Sequence, residues 1–318
     1  MKRLFLLVVT VSVATSLCAQ TYPTKPIRLM VPSSPGGGTD ITARIIAPKM
    51  IAGLRQQIVV ENRAGANTMI GTEMVARAAP DGYTLLLSST PLSINPAMVA
   101  KMSYDALHDF AAVTQVVSLP NLLVVHPSLP ARNVKELIAL AKARPGQLTY
   151  ASAGSGSSPH LAMALLTGMS GLKIIHVPYK GAGPGVIDVI AGQISLMTPS
   201  IITVLNYVKG GRLRALGVTS LKRASGVPDL PTVAESGIPG YEAAQWFGLM
   251  VPAGTPREII NVLHAEVVRV LQMPDVRARF SADGAEAVGS TPEEFSAYIR
   301  AETFKWGKVV RDSNIRAD

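Results

Sequence analysis

The hydrophobic and polar positions of the chain change period repeatedly. Ile27–Val31 and Ile58–Glu61 are short apolar runs, which predicts strands, and Asp40–Leu54 between them carries Ile41, Ile45 and Met50 among its buried helix positions. A second helix is predicted over Thr68–Ala79 and a third strand over Tyr83–Ser88. The rhythm returns with helix Val134–Arg144, strand Leu148–Ser152, helix Pro159–Met169, strand Ile174–Pro178, helix Gly185–Ala191 and strand Ile194–Met197. Strands alternating with helices of this length predict parallel sheets with helices on both faces.

Two long β-type segments interrupt the rhythm: Ala111–Pro127, broken at Leu119-Pro120, and Gln245–Pro252. Helices then dominate, over Pro256–Gln272, Pro274–Ala282 and Pro292–Asp312. The last is introduced by Thr291-Pro292-Glu293-Glu294, with Thr at the cap, Pro at N1 and Glu at N3. Pro48 falls about two turns into the first helix. It predicts a bend near Arg44–Pro48 rather than an end, because Met50, Ile51 and Leu54 continue the apolar pattern.

If both interruptions are crossovers, residues 21–122 and 248–318 form one domain and residues 123–247 another. Two α/β domains joined by two strands enclose a cleft, and strand C-termini aim their loops into it.

Composition narrows the function. Residues 1–20 read as a secretory signal peptide: Met1-Lys2-Arg3 is cationic, Leu4–Leu17 is apolar but too short for a membrane anchor, and Cys18-Ala19-Gln20 supplies small residues. Lipidation at Cys18 is the weaker alternative, because Thr15-Ser16-Leu17 puts the leucine and the small residue in the wrong order. Cys18 is the only cysteine, so the exported chain is expected to have neither disulfides nor thiolate ligands. The formal charge is +9, or +7 without Lys2 and Arg3, and the cations are scattered. With aromatics at 5%, a stacking surface for nucleic acid is not expected, and the charge reads as solubility with a mild attraction for anions. His108, His126, His176 and His264 lack partners at metal-binding spacing, so no metal or cofactor is expected.

Three strand-to-helix junctions carry the candidate chemistry. In "VPSSPGGGTDITAR" (31–44), glycines free the backbone to approach a ligand, and the following helix start adds partial positive charge. No phosphate-loop lysine follows and no G-x-G-x-x-G occurs, so a carboxylate suits this seat better than a nucleotide. A plain turn capped by Thr39 or Asp40 is the equal alternative. "YASAGSGSSPHLA" (150–162) repeats the design with Ser152, Ser155, Ser157 and Ser158 beside Gly154 and Gly156. A serine nucleophile with His160 as its base is the enzymatic reading, but the elbow G-x-S-x-G is absent, and His160 reads better as a hydrogen-bonding residue at the helix start. "HVPYKGAGPG" (176–185) is the third junction, with Lys180 read as solvated and Tyr179 as packing on the loop. Trp246, at the second crossover, suits either ligand stacking or hinge packing.

The chain resembles the Bug-type extracytoplasmic solute receptors, the periplasmic binding proteins of tripartite tricarboxylate transport systems. The resemblance rests on "YPTKPIR" (22–28), "PGGGTD" (35–40), "VENRAGA" (60–66), "APDGYTLLL" (79–87), "NPAM" (95–98), "VHPSLPA" (125–131), "YASAGSGSS" (150–158), "HVPYKGAGP" (176–184), "LRALGVTS" (213–220), "LPTVAESGIPGYE" (230–242) and "WFGLMVPAGTP" (246–256), in family order.

The resemblance implies a periplasmic binding protein of type II-like fold, from a Gram-negative bacterium, whose α/β domains close on a small organic acid. It implies no enzymatic activity, delivery to transporter membrane subunits, and action as a monomer. It carries ligand roles to Ser33, Gly37, Gly38, Thr39 and Asp40, to Ser89 and Asn95, and to Ser152, Gly154, Ser155, Gly156 and Ser157. Thr198 and Trp246 complete the candidate set. Many members have a Phe-Asp-Asn-like stretch where this chain has Thr198-Pro199-Ser200. The missing acid implies a ligand without an ammonium, such as a di- or tricarboxylate or an aromatic acid. An exported hydrolase using Ser155 or Ser157, and a solute sensor for a signalling protein, are the rival readings.

Overall fold

The computed structural model describes residues 22–282, 284–312 and 315, so the predicted signal peptide and Cys18 lie outside the described residues. The chain first builds β1 (Ile27–Val31), α1 (Gly38–Leu54), β2 (Ile58–Asn62), α2 (Met69–Ala76), β3 (Thr84–Ser89), α3 (Pro91–Met98) and β4 (Phe110–Pro120). It then builds β5 (Leu122–Val125), α4 (Val134–Ala143), β6 (Thr149–Ser152), α5 (Ser158–Ser170), β7 (Ile175–Pro178), α6 (Ala182–Ile190), β8 (Leu196–Met197), α7 (Ile201–Lys209) and β9 (Arg214–Val218). It ends with β10 (Ala244–Pro252), α8 (Arg257–Leu271), α9 (Pro274–Ala282), β11 (Glu286–Ala287) and α10 (Pro292–Asp312).

Two sheets result, ordered β11-β4-β10-β3-β1-β2 and β7-β6-β8-β5-β9. This is the two-sheet α/β, type II-like architecture expected from the pattern, with one correction. The sheets are mixed, not parallel. β1 runs parallel to β2 and β3, and β6 parallel to β7 and β8. But β10 is antiparallel to β3 and β4, and β5 is antiparallel to β8 and β9. The reason lies in the crossing: β4 leaves the first sheet and β10 returns to it beside β4, so the two meet head to tail.

Burial follows from these positions. In the central strands β1 and β3, Ile27, Leu29, Met30, Val31 and Leu85–Leu87 are fully buried, as strands covered on both faces require. The largest core cluster joins Leu29 and Leu87 of the first sheet to Val124 and Met197 of the second, so the two halves share apolar contact. α10 adds a second tie, placing Trp306 among Leu161, Tyr241 and other residues packed on the second sheet.

Local signals explain the elements. The capping box at α10 forms as predicted: Thr291 N–H donates to Glu294 Oε2 (2.8 Å) and Glu294 N–H donates to Thr291 Oγ1 (3.2 Å). α1 continues through Pro48. Pro48 and Arg44 share the exposed face, where water can serve the Arg44 carbonyl that Pro48 leaves without an N–H. α3 and α7 escape the sequence pattern. α3 contains Pro91 and Pro96, and α7 opens on Ile201-Ile202-Thr203-Val204, a branched run that reads as strand until Ile201, Val204 and Leu205 are seen buried on one helix face.

β10 shows how one strand serves both faces. Trp246 packs edge-on against Phe295 of α10 (5.4 Å between centroids), while Phe247 turns the other way. Gly248, on the Trp246 face, leaves the space that the Phe295 ring fills. Gly248→Ala is therefore expected to overpack this core and destabilise the protein by about 1–3 kcal/mol in urea titration. An unchanged midpoint would show that Phe295 can move aside freely.

Candidate functional site

Helices α1, α3, α5 and α7 follow the ends of β1, β3, β6 and β8. Their N-cap residues Gly37, Thr90, Ser157 and Ser200 make no side-chain cap hydrogen bond. α2, α6 and α8 likewise lack a side-chain cap, whereas Asn133 Oδ1 accepts the Glu136 N–H at α4 (2.9 Å) and Thr291 Oγ1 accepts the Glu294 N–H at α10 (3.2 Å). Near the same four helix starts, the buried hydroxyls of Ser33, Ser93, Ser157 and Ser200 have no hydrogen-bond partner within the protein. Ser93, Ser157 and Ser200 are 0%, 4% and 6% exposed. Buried polar groups ordinarily find partners, so these hydroxyls, like those of Thr42 and Ser170 elsewhere in the chain, are open to a water or to a ligand acceptor.

The first loop is held from inside. Gly36 turns with φ +78°, and Gly37 donates to the Ser34 carbonyl (3.2 Å). Asp40 is almost fully buried, and its carboxylate accepts from the Gly36 N–H (2.9 Å) and from Arg44 Nε (3.0 Å to each oxygen). Burial pushes the Asp40 carboxyl up, but the Arg44 pair, the Gly36 N–H and Asn62 outweigh it and hold Asp40 below the usual carboxylate range. Asn62 also donates to the Ser33 carbonyl (3.0 Å). Asp40 thus shapes the loop with both oxygens engaged, leaving Ser33, Gly37, Gly38 and the buried Thr39 at the helix start. Gly38 is sterically required: a Cβ there would lie 2.9 Å from the Phe247 ring and 3.2 Å from Ile202 Cδ1.

Ser89 ends β3, opposite Phe247 of β10, and is 7% exposed. Asn95, buried in α3, grips Asn67: its Nδ2 donates to the Asn67 carbonyl (3.0 Å) and its Oδ1 accepts from Asn67 Nδ2 (2.8 Å). Gly65, Ala66, Asn67 and Thr68 all have positive φ, a conformation unfavourable for three of them that this grip helps to hold. Sequence reasoning missed Asn67. It stands one residue past the quoted "VENRAGA", and only its partner Asn95 is in the candidate set.

In the second loop, Ser152 Oγ accepts from the Gly154 N–H (3.1 Å) and lies 2.6 Å from His176 Nε2. His160 Nδ1 accepts the Gly156 N–H (3.0 Å), the helix-start role read from the sequence. Its ring stacks on His176 at 3.9 Å, with Tyr150 beyond at 4.9 Å from His176. Gly154 and Gly156 have φ of +122° and +74°. Ser155 lies between them, half-buried, and Ser157 caps α5 with its hydroxyl unpartnered.

Two candidates sit in structural positions. Thr198 is fully buried and donates to the Pro159 carbonyl (2.9 Å), fixing the start of α5. Trp246 is fully buried against Phe295 and Tyr298, on the sheet face away from Gly38, and Phe247 takes the other face. Of the remaining candidates, Gly38 and Gly156 lie where the halves meet: a Cβ on Gly38 would come 3.2 Å from Ile202 Cδ1, and one on Gly156 would strike Met98 and come 3.2 Å from Asn67 Nδ2. Nearby, a Cβ on Gly181 would come 3.4 Å from Ser34 Oγ.

Because the folded Asp40 carboxyl titrates below its unfolded value, its stabilisation is complete above the ordinary carboxylate range and fades as pH falls through the folded value. Asp40→Asn should therefore be less stable than wild type at neutral pH, with the gap closing below about pH 4 in urea titrations. A gap independent of pH would assign the effect to shape, not charge.

A family profile described as "Tripartite tricarboxylate transporter family receptor" matches residues 42–315. The protein BugT of Bordetella pertussis is 39% identical over 97% of this chain and 95% of its own. Among solved structures, R. palustris Rpa4515 with adipate superposes with a TM-score of 0.90 at 35% identity, covering 93% of this chain and 100% of that one. MatC from Rhodopseudomonas palustris with bound malate gives 0.86 at 31% identity, covering 91% and 100%. The matched family is one of transporter receptors and not enzymes, which removes the hydrolase reading of Ser155 and Ser157. The chain belongs to the tripartite tricarboxylate transporter receptor family.

Proposed function

We propose that this protein is a periplasmic receptor that closes its two domains on a small organic carboxylate lacking an ammonium and delivers it to the membrane subunits of a tripartite tricarboxylate-type transporter. The observation that carries the reading is the set of buried, unpartnered hydroxyls of Ser33, Ser93, Ser157 and Ser200 near the starts of α1, α3, α5 and α7. Hydroxyl and backbone N–H groups are donors that suit carboxylate oxygens, and helix N-termini add partial positive charge without a counter-ion to desolvate.

The ligand's charge follows from what surrounds the seat. Asp40 is engaged by Arg44 and Gly36, Asp188 accepts from the Tyr179 hydroxyl (2.5 Å), and Thr198-Pro199-Ser200 contributes no carboxylate. An ammonium brought into this cleft would find no free carboxylate among these residues to pair with. Adipate and malate, held by two relatives, are dicarboxylates of the class proposed for this chain. In this reading the first sheet with its helices forms one jaw and the second sheet the other, and the protein acts as a monomer. Since β5 begins at Leu122 in the second sheet and β10 at Ala244 in the first, the crossovers fall at Asn121 and just before Ala244, slightly off the expected 122/123 and 247/248. Closure follows from tighter ligand binding to the closed state, where both loops donate together. Export to the periplasm rests on the apolar leader of the sequence and on family membership, and among the described residues no helix is long and apolar enough to cross a membrane.

A thermal-shift series with adipate, malate, citrate, benzoate, aspartate and glutamate tests this. An acid at about 100 times its dissociation constant adds roughly 2.7 kcal/mol and raises the midpoint. Adipate, malate, citrate or benzoate is expected to do so, and aspartate or glutamate binding as tightly as malate would defeat the ammonium-free reading. Ser157→Ala supplies the second arm. Removing a hydroxyl without a protein partner should leave the unliganded midpoint near wild type, while ligand affinity falls roughly 10- to 100-fold, the worth of a hydrogen bond to a charged group.

A further inference from the structure

Asn121 is the single residue between β4 of the first sheet and β5 of the second, and it is fully buried. Every polar group it carries is bonded. Its N–H donates to Thr219 Oγ1 (2.8 Å), and its carbonyl accepts from the Thr219 N–H (3.0 Å) just beyond β9. Its Oδ1 accepts from Gln245 Nε2 (2.5 Å), near the start of the returning strand β10. Its Nδ2 donates to the Ala243 carbonyl (3.3 Å), in the second crossover, and reaches Ser158 Oγ (3.4 Å), the first residue of α5. Asn121 also forms a β-bridge with Ser200, the N-cap of α7, and Leu122 N–H donates to the Pro199 carbonyl (3.0 Å).

One side chain therefore touches both interdomain connections and the start of α5, while its backbone touches the start of α7. We propose that Asn121 is a positioning residue that sets the two ligand-facing helix starts of the second domain, α5 and α7, on the pivot between the sheets. It contacts no ligand in this role. It acts by fixing where Ser157 and Ser200 stand relative to the first sheet, to which Gln245 anchors it through β10. A carboxylate held by donors from both domains is gripped only while those donors keep one geometry, so loosening the pivot releases the ligand faster. The ligand part of the proposal rests on the receptor reading above, but the positioning part does not.

The test uses the mature protein with Asn121→Ala, Gln245→Leu and the double variant, and adipate and malate as probes. Losing about two hydrogen bonds of this network should speed ligand dissociation in stopped flow by roughly 10-fold, with association changed less than about 2-fold. The double variant should be no faster than Asn121→Ala, because both changes cut one network. Amide exchange of the unliganded protein gives the independent arm: protection should fall at residues 153–161 and 198–204 and stay constant in α4 and α8. A uniform loss of protection would reduce Asn121 to a stabilising core residue and overturn the proposal. Additive effects on dissociation, or variants that release ligand at the wild-type rate, would overturn it equally. If wild type binds no carboxylate, the receptor reading falls while the exchange pattern still decides the role of Asn121. If Asn121→Ala does not fold, Gln245→Leu alone severs the link to the first sheet and is judged by the same two measurements.

Discussion

The antiparallel pairing of β4 with β10 is the constraint on which the rest of this structure depends. Its register runs from Ala244 opposite Pro120 to Pro252 opposite Phe110, with irregularities at Phe247/Gly248 and Leu249/Met250. Both passages of the chain between the sheets leave from one end of this ribbon, so the second domain hangs from two adjacent points. In the receptor reading proposed above, two adjacent connections would favour opening and closing of the cleft over sliding. The ribbon also lies in the first sheet's core, and its alternation sends Trp246 toward α10 and Phe247 toward Gly38.

On the proposed reading, the cleft holds its ligand's charge without a buried cation among the described residues. A guanidinium in the site would bind carboxylate strongly but would itself require desolvation and support when the cleft is empty of ligand. Helix N-termini carry only partial charges, and serine hydroxyls are neutral, so both are cheaper to leave unpaired. Asp40 is locked to Arg44 and holds the first loop in shape. Glycines at 36, 38, 154 and 156 belong to the same design. They let loop backbones turn or approach the opposite half where any side chain would collide or be strained.

Second-layer contacts carry much of the geometry. Asn67 and Asn95 hold each other across a run of positive φ, and Ser152, His176 and His160 brace the second loop from behind. Thr198 ties the Pro159 carbonyl to the strand side of α7. None of these needs to touch a ligand to decide where the donors stand. On the proposed reading, they would position the groups that the loops present.

Much of this was legible in the chain itself. Periodicity located β1 and α10 at their observed bounds and most other elements within a few residues, because it reports which face of a segment is buried. The glycine- and serine-rich junctions stood out because backbone freedom and hydroxyl donors are local properties. Strand direction was not legible: an apolar strand such as β10 reads the same whether its neighbours run with it or against it, so the mixed sheets appeared only in the fold. Nor was α7, whose branched residues prefer strand until burial of Ile201, Val204 and Leu205 overrides them. The chain by itself determined most of the elements and the two-part α/β layout, and it marked the glycine- and serine-rich junctions. Only the tertiary structure decided which hydroxyls lack partners, which of Trp246 and Phe247 faces Gly38, and that Asn121 meets Gln245. Those are matters of hydrogen-bond partners and neighbours distant in sequence, which no local pattern records.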